Sequence, residues 1–199
     1  MPTRPATPSL ERRAPGLRVY LSPACTSDTP AFLAAVAASR RLHFGWVEPP
    51  STRARFAHYV NRFGNGQLQS PTKSTHCGLL VRRVGDDALV GVFNFSEIVR
   101  GSFDSGYLGY YAFAPYHGEG YMGEGIRLAL DTAFRMLKLH RVEANIQPSN
   151  KASIELVRSA GFTREGYSRR YVKIAGRWRD HERWAMLAED WRARRRNGK

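Results

Sequence analysis

A glycine-rich stretch, His117-Gly118-Glu119-Gly120-Tyr121-Met122-Gly123-Glu124-Gly125, joins a strand pattern that stops at Pro115 to the strongest amphipathic helix pattern in the chain. A strand that turns directly into a helix leaves several backbone N–H groups without partners at the positive end of the helix dipole. Glycines at 118, 120 and 123 remove the Cβ atoms that would hold an anion away from those amides, so the turn suits a phosphate or pyrophosphate gripped by main chain. The same glycines would also serve a tight turn with no ligand. Two nucleotide-binding patterns are excluded. The chain lacks a parallel βαβ unit with an acidic residue about 20 positions on, and it lacks the Gly-Lys-Ser/Thr of a P-loop.

The helix after the turn is expected over residues 122–137, with Ile126, Leu130, Ala133, Phe134 and Leu137 on its inner face. Upstream, residues 17–22 read as a strand. Asp28-Thr29-Pro30 is a cap-and-start signal for a helix reaching about Arg41, with Phe32, Leu33, Val36 and Leu42 as its buried stripe. A second helix is expected over residues 52–63, ended by Gly64 and Gly66, with a polar loop over 65–74. Residues 78–84 and 89–98 form a hairpin around Asp86 and Asp87, and 107–113 add a strand. Downstream come a strand over 142–147, a helix over 152–159 stopped by Gly161, and two long strands either side of Ala175-Gly176. Hairpins with two helical crossovers predict an α/β (mixed α+β) fold: a mostly antiparallel mixed sheet of about seven strands flanked by about four helices.

At 199 residues and 42% hydrophobic content, the chain has material for one core. One domain is therefore expected over residues 17–191, preceded by a flexible Pro- and Arg-rich arm at 1–16 and followed by a basic tail at 192–199. Arg192, Arg194, Arg195, Arg196 and Lys199 repel one another, which favours a solvated tail. Lys and Arg number 31 against 17 Asp and Glu, and the resulting +14 attracts polyanions such as RNA or a ribosome surface. The longest apolar stretch, residues 32–38, is far short of the roughly 20 needed to span a bilayer, and the N-terminus carries no apolar signal core. Neither export nor membrane insertion is expected, and a cytoplasmic location fits. Cys25 and Cys77 have no metal-ligand spacing and the histidines include no His-x-x-x-His, so no metal is expected.

Further segments follow the glycine turn in fixed order: Leu139-His140-Arg141-Val142-Glu143-Ala144-Asn145-Ile146-Gln147-Pro148, then Asn150-Lys151-Ala152-Ser153. With Leu108-Gly109-Tyr110, Gly161-Phe162 and Gly176-Arg177-Trp178-Arg179-Asp180-His181, they resemble the RimJ/RimL branch of the GCN5-related N-acetyltransferase (GNAT) superfamily, the ribosomal-protein N-terminal acetyltransferases. The resemblance runs over residues 17–191. It implies a single-domain fold whose sheet splays at the cofactor site, acetyl-coenzyme A as co-substrate, and direct attack by an amine, most naturally a protein N-terminal α-amine. Relatives with this fold also modify small amines, and a non-catalytic basic chain that binds RNA or the ribosome is a further alternative.

The family's cofactor turn reads Gln or Arg, two residues, Gly, one residue, Gly or Ala. Here His117, Gly120 and Met122 stand at those places, two departures that main-chain donors tolerate. The resemblance assigns cofactor contacts to His117, Gly118, Glu119, Gly120, Tyr121, Met122 and Gly123, to Asn150 and Ser153, and to Tyr111, Ala112 and Phe113, whose main chain would pair with pantetheine.

Acetyl transfer needs a neutral amine, a donor to the oxyanion and a proton for the departing thiolate. Ser153 resembles the family's proton donor, although Asn150 and Ser153 equally read as a helix cap and a first-turn residue. Places that hold a glutamate base in related enzymes correspond to Tyr107 and Val172, and neither can serve. Glu97, Asp104, Asp180 and Glu182 remain as general-base candidates, each also readable as solvated or salt-bridged. An α-amine, with a reference pKa of about 8, can also dispense with a base. Asp180-His181 makes no hydrolase, since no Gly-x-Ser-x-Gly elbow accompanies it. His43 and Trp46 would lie on the acceptor side as an aromatic wall, or else pack in the core.

Overall fold

In the computed structural model, which describes residues 16–64, 70 and 72–197, the alternating segments form seven strands in one sheet. Most of the expected arm, Gly66 with much of the polar loop, and the last two residues of the tail lie outside the described residues. The strands are β1 (Val19–Pro23), β2 (Cys77–Arg83), β3 (Leu89–Val99), β4 (Ser105–Ala112), β5 (Arg141–Ile146), β6 (Thr163–Ile174) and β7 (Arg177–Leu187). Their spatial order is β1-β2-β3-β4-β5-β7-β6. Neighbours run antiparallel except at β4 and β5.

That one parallel joint positions the site. Its pairing is confined to Ser105 with Arg141, Gly106 with Val142 and Tyr107 with Glu143. The Asp104 carbonyl secures the closed end by accepting the amides of His140 (2.7 Å) and Arg141 (3.2 Å). From Leu108 onward β4 stays with β3, while from Ala144 onward β5 stays with β7. The two strands therefore part, and the sheet opens as a V.

Both faces of the sheet are covered, which is why β2 is apolar at successive positions rather than alternate ones. Leu79 and Val81 join a core beneath α4 (Tyr121–Asp131) and α5 (Lys151–Ala160). Leu80, pointing the other way, joins a second core beneath α1 (Thr29–Ala38) and α3 (Arg53–Phe63). Phe32 and Phe56 meet there at 4.3 Å between ring centroids. All five inner-face residues expected on the helix after the turn are buried. The helix itself changes character: its α-helical part ends at Asp131 and the chain continues as a π turn over Thr132–Met136.

Three further details differ from the sequence reading. The helix expected to reach Arg41 breaks at Ser39, giving a short α2 (Arg40–His43). The Ser39 hydroxyl, fully buried, donates to the Ala35 carbonyl (2.7 Å) and accepts from the Ala114 amide (2.9 Å), tying α1 to the segment before the glycine turn. Asp28 stands at the start of α1 but makes no side-chain cap there. Its carboxylate instead takes the Arg82 guanidinium (2.6 Å) and the Cys25 amide (3.0 Å). Finally, the basic run expected as a solvated tail is helical through Arg196, as α6 (Ala188–Arg196). Trp191 is buried and its indole donates to Asp131 (3.1 Å), to which Arg195 is also paired. One buried aromatic and a shared carboxylate recruit the segment despite its charge. Among the described residues, these two short helices raise the count from about four to six.

Candidate functional site

The chain leaves β4 through a 3-10 turn, Ala114–Tyr116, and reaches α4 through residues whose backbone demands glycine: Gly118 has φ 85° and Gly120 φ 82°. Arg18 clamps the back of this turn. Its guanidinium donates to the Glu119 carbonyl (3.1 Å) and to Glu124 (2.5 Å), and it lies 4.6 Å over the Tyr121 ring. The Gly123 and Glu124 amides close on the Gly120 carbonyl, and the His117 amide on that of Ala114. Among the described residues, the amides of Gly118, Glu119, Gly120, Tyr121 and Met122 make no hydrogen bond, and they sit where the helix dipole favours an anion. A Cβ at Gly118 or Gly123 would meet nothing within 4 Å.

From this turn a cleft of about 870 Å³ runs through the V between β4 and β5 to the opposite face of the sheet. Adjacent β4 residues point to its two ends. Tyr110 faces the α5 side, where its hydroxyl donates to the Ser153 carbonyl (3.1 Å). Tyr111 faces the α1 side, edge-on to His43 at 5.3 Å. The Asn150 side chain caps α5 by accepting the Ser153 amide (3.1 Å), so the capping role is real, while the Ser153 hydroxyl has no protein partner among the described residues and lines the cleft. Lys151, in the first turn of α5, lines it too.

Most residues that the resemblance assigned to the cofactor line the cleft, with two exceptions. Glu119 does not line it, although its amide belongs to the turn. Phe113 is fully buried in the second core, its amide donating to the Val90 carbonyl (2.7 Å); Leu108, Gly109 and Tyr110 line the cleft in its stead. His43 and Trp46 line the acceptor end. His43 Nε2 donates to the Ala112 carbonyl (2.8 Å), and burial holds its pKa below the ordinary 6.5. Among the described residues, three polar atoms in the cleft, His43 Nδ1, Tyr111 Oη and Asn145 Oδ1, are buried without a partner. An unsatisfied buried group costs about 1–3 kcal/mol, so their gathering in one cleft makes it the candidate site for a ligand. Burial pushes the Tyr110 and Tyr111 hydroxyls upward, which keeps both as proton-bearing donors.

None of the four carboxylates proposed as a base lines the cleft. Glu97 sits on a bulge of β3 at φ 48°, paired with Arg62 and His76. Asp104 holds the closed end of the V through its carbonyl. Asp180 accepts the Tyr167 hydroxyl (2.6 Å) and the Arg170 amide (2.7 Å), which hold its carboxyl below the usual range. Glu182 accepts the Trp184 indole (3.1 Å) and faces Arg164 (3.4 Å). Tyr107, exposed, touches the Tyr171 hydroxyl (3.4 Å), and this contact with burial pushes its pKa up to about 12. Sequence reasoning named neither His181 as a base nor Asn145 as a site residue, yet both line the cleft. Strand parity was the signal that could have found them. Glu155 is the one carboxylate in the lining among the described residues, and it is paired with Arg158 (2.9 Å).

Comparison with known proteins gives a consistent picture. Residues 18–163 match the model of the acetyltransferase (GNAT) domain. The chain is 43% identical over 103 residues to the [ribosomal protein uS5]-alanine N-acetyltransferase of Escherichia coli (strain K12), a match covering 52% of this chain and 53% of that protein. Its matches span about half to three fifths of the length of the curated relatives. Among solved structures, Mycobacterium smegmatis RimJ in complex with CoA-disulfide superposes with a TM-score of 0.77 at 24% identity, covering 89% of this chain and 85% of that one. Vibrio cholerae spermidine N-acetyltransferase in complex with CoA and spermine superposes with a TM-score of 0.70 at 19% identity, covering 87% and 98%. Similarity at that level establishes the shared fold.

Proposed function

This chain belongs to the acetyltransferase (GNAT) domain family, and from that premise we propose that it transfers the acetyl group of acetyl-coenzyme A to a protein N-terminal α-amine by direct attack. One observation carries the reading: the cleft joins a row of unpaired amides at residues 118–122 to an apolar pocket on the far side of the sheet. The residues fit such a co-substrate. The amides would take its pyrophosphate, and the parted edge of β4 over residues 108–112 would pair with its amide-bearing arm. Bound there, it supplies an acetyl thioester. Ser153, whose hydroxyl lines the cleft, would deliver a proton to the sulfur, and the Tyr111 hydroxyl, kept protonated by burial, would donate to the carbonyl oxygen.

The acceptor end supports an α-amine over a polyamine. It is lined by His43, Trp46, Val47, Val172, Ile174 and His181, with no carboxylate among them. A molecule with several positive charges would be desolvated there without compensation, on a chain of net charge +14. The substrate named for one relative, the alanine of ribosomal protein uS5, agrees with this preference. Calorimetry with acetyl-coenzyme A, followed by thiol release with peptides and spermidine as acceptors, is the test. We expect binding and faster turnover of the peptides, and no binding near a millimolar concentration refutes the reading.

A second feature favours contact with a polyanion during that work. A groove of about 740 Å³ between the π turn and α6 is lined by Arg135, Lys138, Arg192, Arg195 and Arg196, with Glu189 as the one acidic residue in the lining among the described residues. The guanidinium groups of Arg135 (5.5 Å) and Arg195 (5.4 Å) both lie over the Trp191 ring. RNA affinity that falls steeply with salt, and falls again on changing Arg135 and Arg192 to Gln, is expected if RNA docks there. Unchanged affinity in that variant excludes the groove.

A further inference from the structure

We infer, on the acetyl-transfer reading above, that His181 takes the proton from the attacking amine and that Asn145 holds the same nitrogen, forming an acceptor site for a single α-amine. Strand parity places both. Across β5 and β7, Ala144 lies opposite Trp184 and Ile146 opposite Glu182. Trp184 belongs to the core beneath α5, with Arg158 of that helix 5.9 Å over its ring. Residues an odd number of positions away point to the other face, which is where His43 and Trp46 close the cleft. Asn145 and His181 satisfy that condition. Asp180 and Glu182 do not.

The tautomer of His181 follows from its hydrogen bond. Nδ1 lies 3.0 Å from the Arg179 carbonyl, which can only accept, so Nδ1 carries the proton and Nε2 keeps its lone pair. His181 is 3% exposed, and Nε2 has no partner among the described residues. The groups around it leave the ring neutral. Burial lowers its affinity for a proton more than the Arg179 carbonyl and the Asp180 charge raise it. Asp180 is turned to Tyr167 and Arg170, the Tyr171 ring stands 6.3 Å off, Arg183 shares the strand face, and His43 across the cleft is held neutral as well. The Asn145 oxygen supplies a second, uncharged acceptor for the N–H bonds of the incoming amine.

The step balances. The nitrogen lone pair forms the bond to the acetyl carbon, and the carbon–sulfur bond breaks with its electron pair on sulfur. The nitrogen proton passes to His181 Nε2 and on to solvent, and the thiolate takes the Ser153 hydroxyl proton, which solvent replaces. Only a neutral amine can attack and pass its proton to a neutral imidazole, and near neutral pH the neutral fraction of an α-amine, with a pKa near 8, far exceeds that of an aliphatic amine near 10.4. The difference of more than 2 units favours the α-amine by on the order of 100-fold.

The test uses the full chain with acetyl-coenzyme A and a peptide acceptor. H181Q is expected to lose about 10²- to 10⁴-fold in kcat while calorimetry shows coenzyme A binding unchanged. H181A is expected to recover activity with added imidazole in proportion to its neutral fraction, and N145A to raise KM more than it lowers kcat. A readout independent of turnover is the ¹⁵N spectrum of the ring: the Nε2 signal of His181 should be that of an unprotonated nitrogen and should move when peptide is added. Turnover by H181Q within twofold of wild type, or an Nε2 signal indifferent to saturating peptide, overturns the assignment. Absence of turnover by the wild-type chain with every amine overturns the acetyl-transfer reading and this inference together.

Discussion

Replacing Gly123 with alanine separates a glycine kept for a ligand from one kept for the turn. Gly123 lies in the first turn of α4 with an ordinary helical backbone, and a Cβ built on it meets nothing within 4 Å. Alanine there should therefore stabilise the fold by about 0.5–1 kcal/mol, the usual helix preference over glycine, raising Tm by roughly 1–4 °C. The same methyl group projects towards the unpaired amides, because Cβ bonds in a helix tilt to its N-terminus. An anion held off by it would forfeit about one charge-assisted hydrogen bond, roughly 1.5–3 kcal/mol, or about 10- to 100-fold in Kd. Gly120 cannot make this separation, because at φ 82° any side chain adds about 1–2 kcal/mol of backbone strain. Thermal melting and calorimetry with coenzyme A on G123A are the assays. A variant that is more stable yet binds weakly supports the main-chain grip; one that binds within twofold of wild type refutes it, and one that melts lower refutes the open space assigned to the Cβ.

Other perturbations test the frame around the cleft. R82A should cost about 3–5 kcal/mol in urea unfolding, because it strands the buried Asp28 carboxylate, whereas exchanging both partners for apolar residues should restore most of the loss. D131A should lower Tm by roughly 4–10 °C and shift Trp emission to the red as α6 loses the acceptor for Trp191 and Arg195. S153A should slow thiol release with near-normal coenzyme A affinity, and unchanged turnover would remove it as proton donor. His43, His76 and His181 all have pKa values lowered chiefly by burial. Above pH 6.5 both folded and unfolded chains leave them neutral; below it the unfolded chain binds protons that the folded one refuses. Tm should be flat from pH 7 to 8 and fall as pH drops from 6.5 towards 5, and a rise over that interval would contradict the sign.

What could be read from the sequence was what the backbone must do locally. Gly161 stopping α5 at φ 96°, α3 ending at Phe63 before Gly64 and the inner face of α4 are each decided within one or two turns of chain, and each stands where the pattern put it. Misreadings arose where a side chain was claimed by a distant partner. Asp28 has every property of a helix cap, but Arg82, 54 positions away, takes its carboxylate. Ser39 looks like an ordinary helical residue until Ala114 arrives to use its hydroxyl. The α6 segment looks like a tail because Asp131, the acceptor of Trp191 and Arg195, belongs to another helix.

The same distinction divides the cleft. Its phosphate end is main chain, and the requirement for main chain to approach an anion is written as glycine, so residues 118–123 could be found with no knowledge of the sheet. Its acceptor end is side chain on strands, where identity matters less than which face a residue occupies. Asp180 and Glu182 carry the carboxylates that a base seems to require, and a search by residue type selects them. Yet in a strand the side-chain period is two, so residue type and face are independent until register is fixed. The pairing of Ile146 with Glu182 fixes it here, sending both carboxylates to the α5 side and the histidine between them to the acceptor side. A one-residue slip of β7 would exchange those places and put a carboxylate beside the amine. The chemistry of this acceptor site, a neutral nitrogen base in place of an anion, is thus a consequence of strand register.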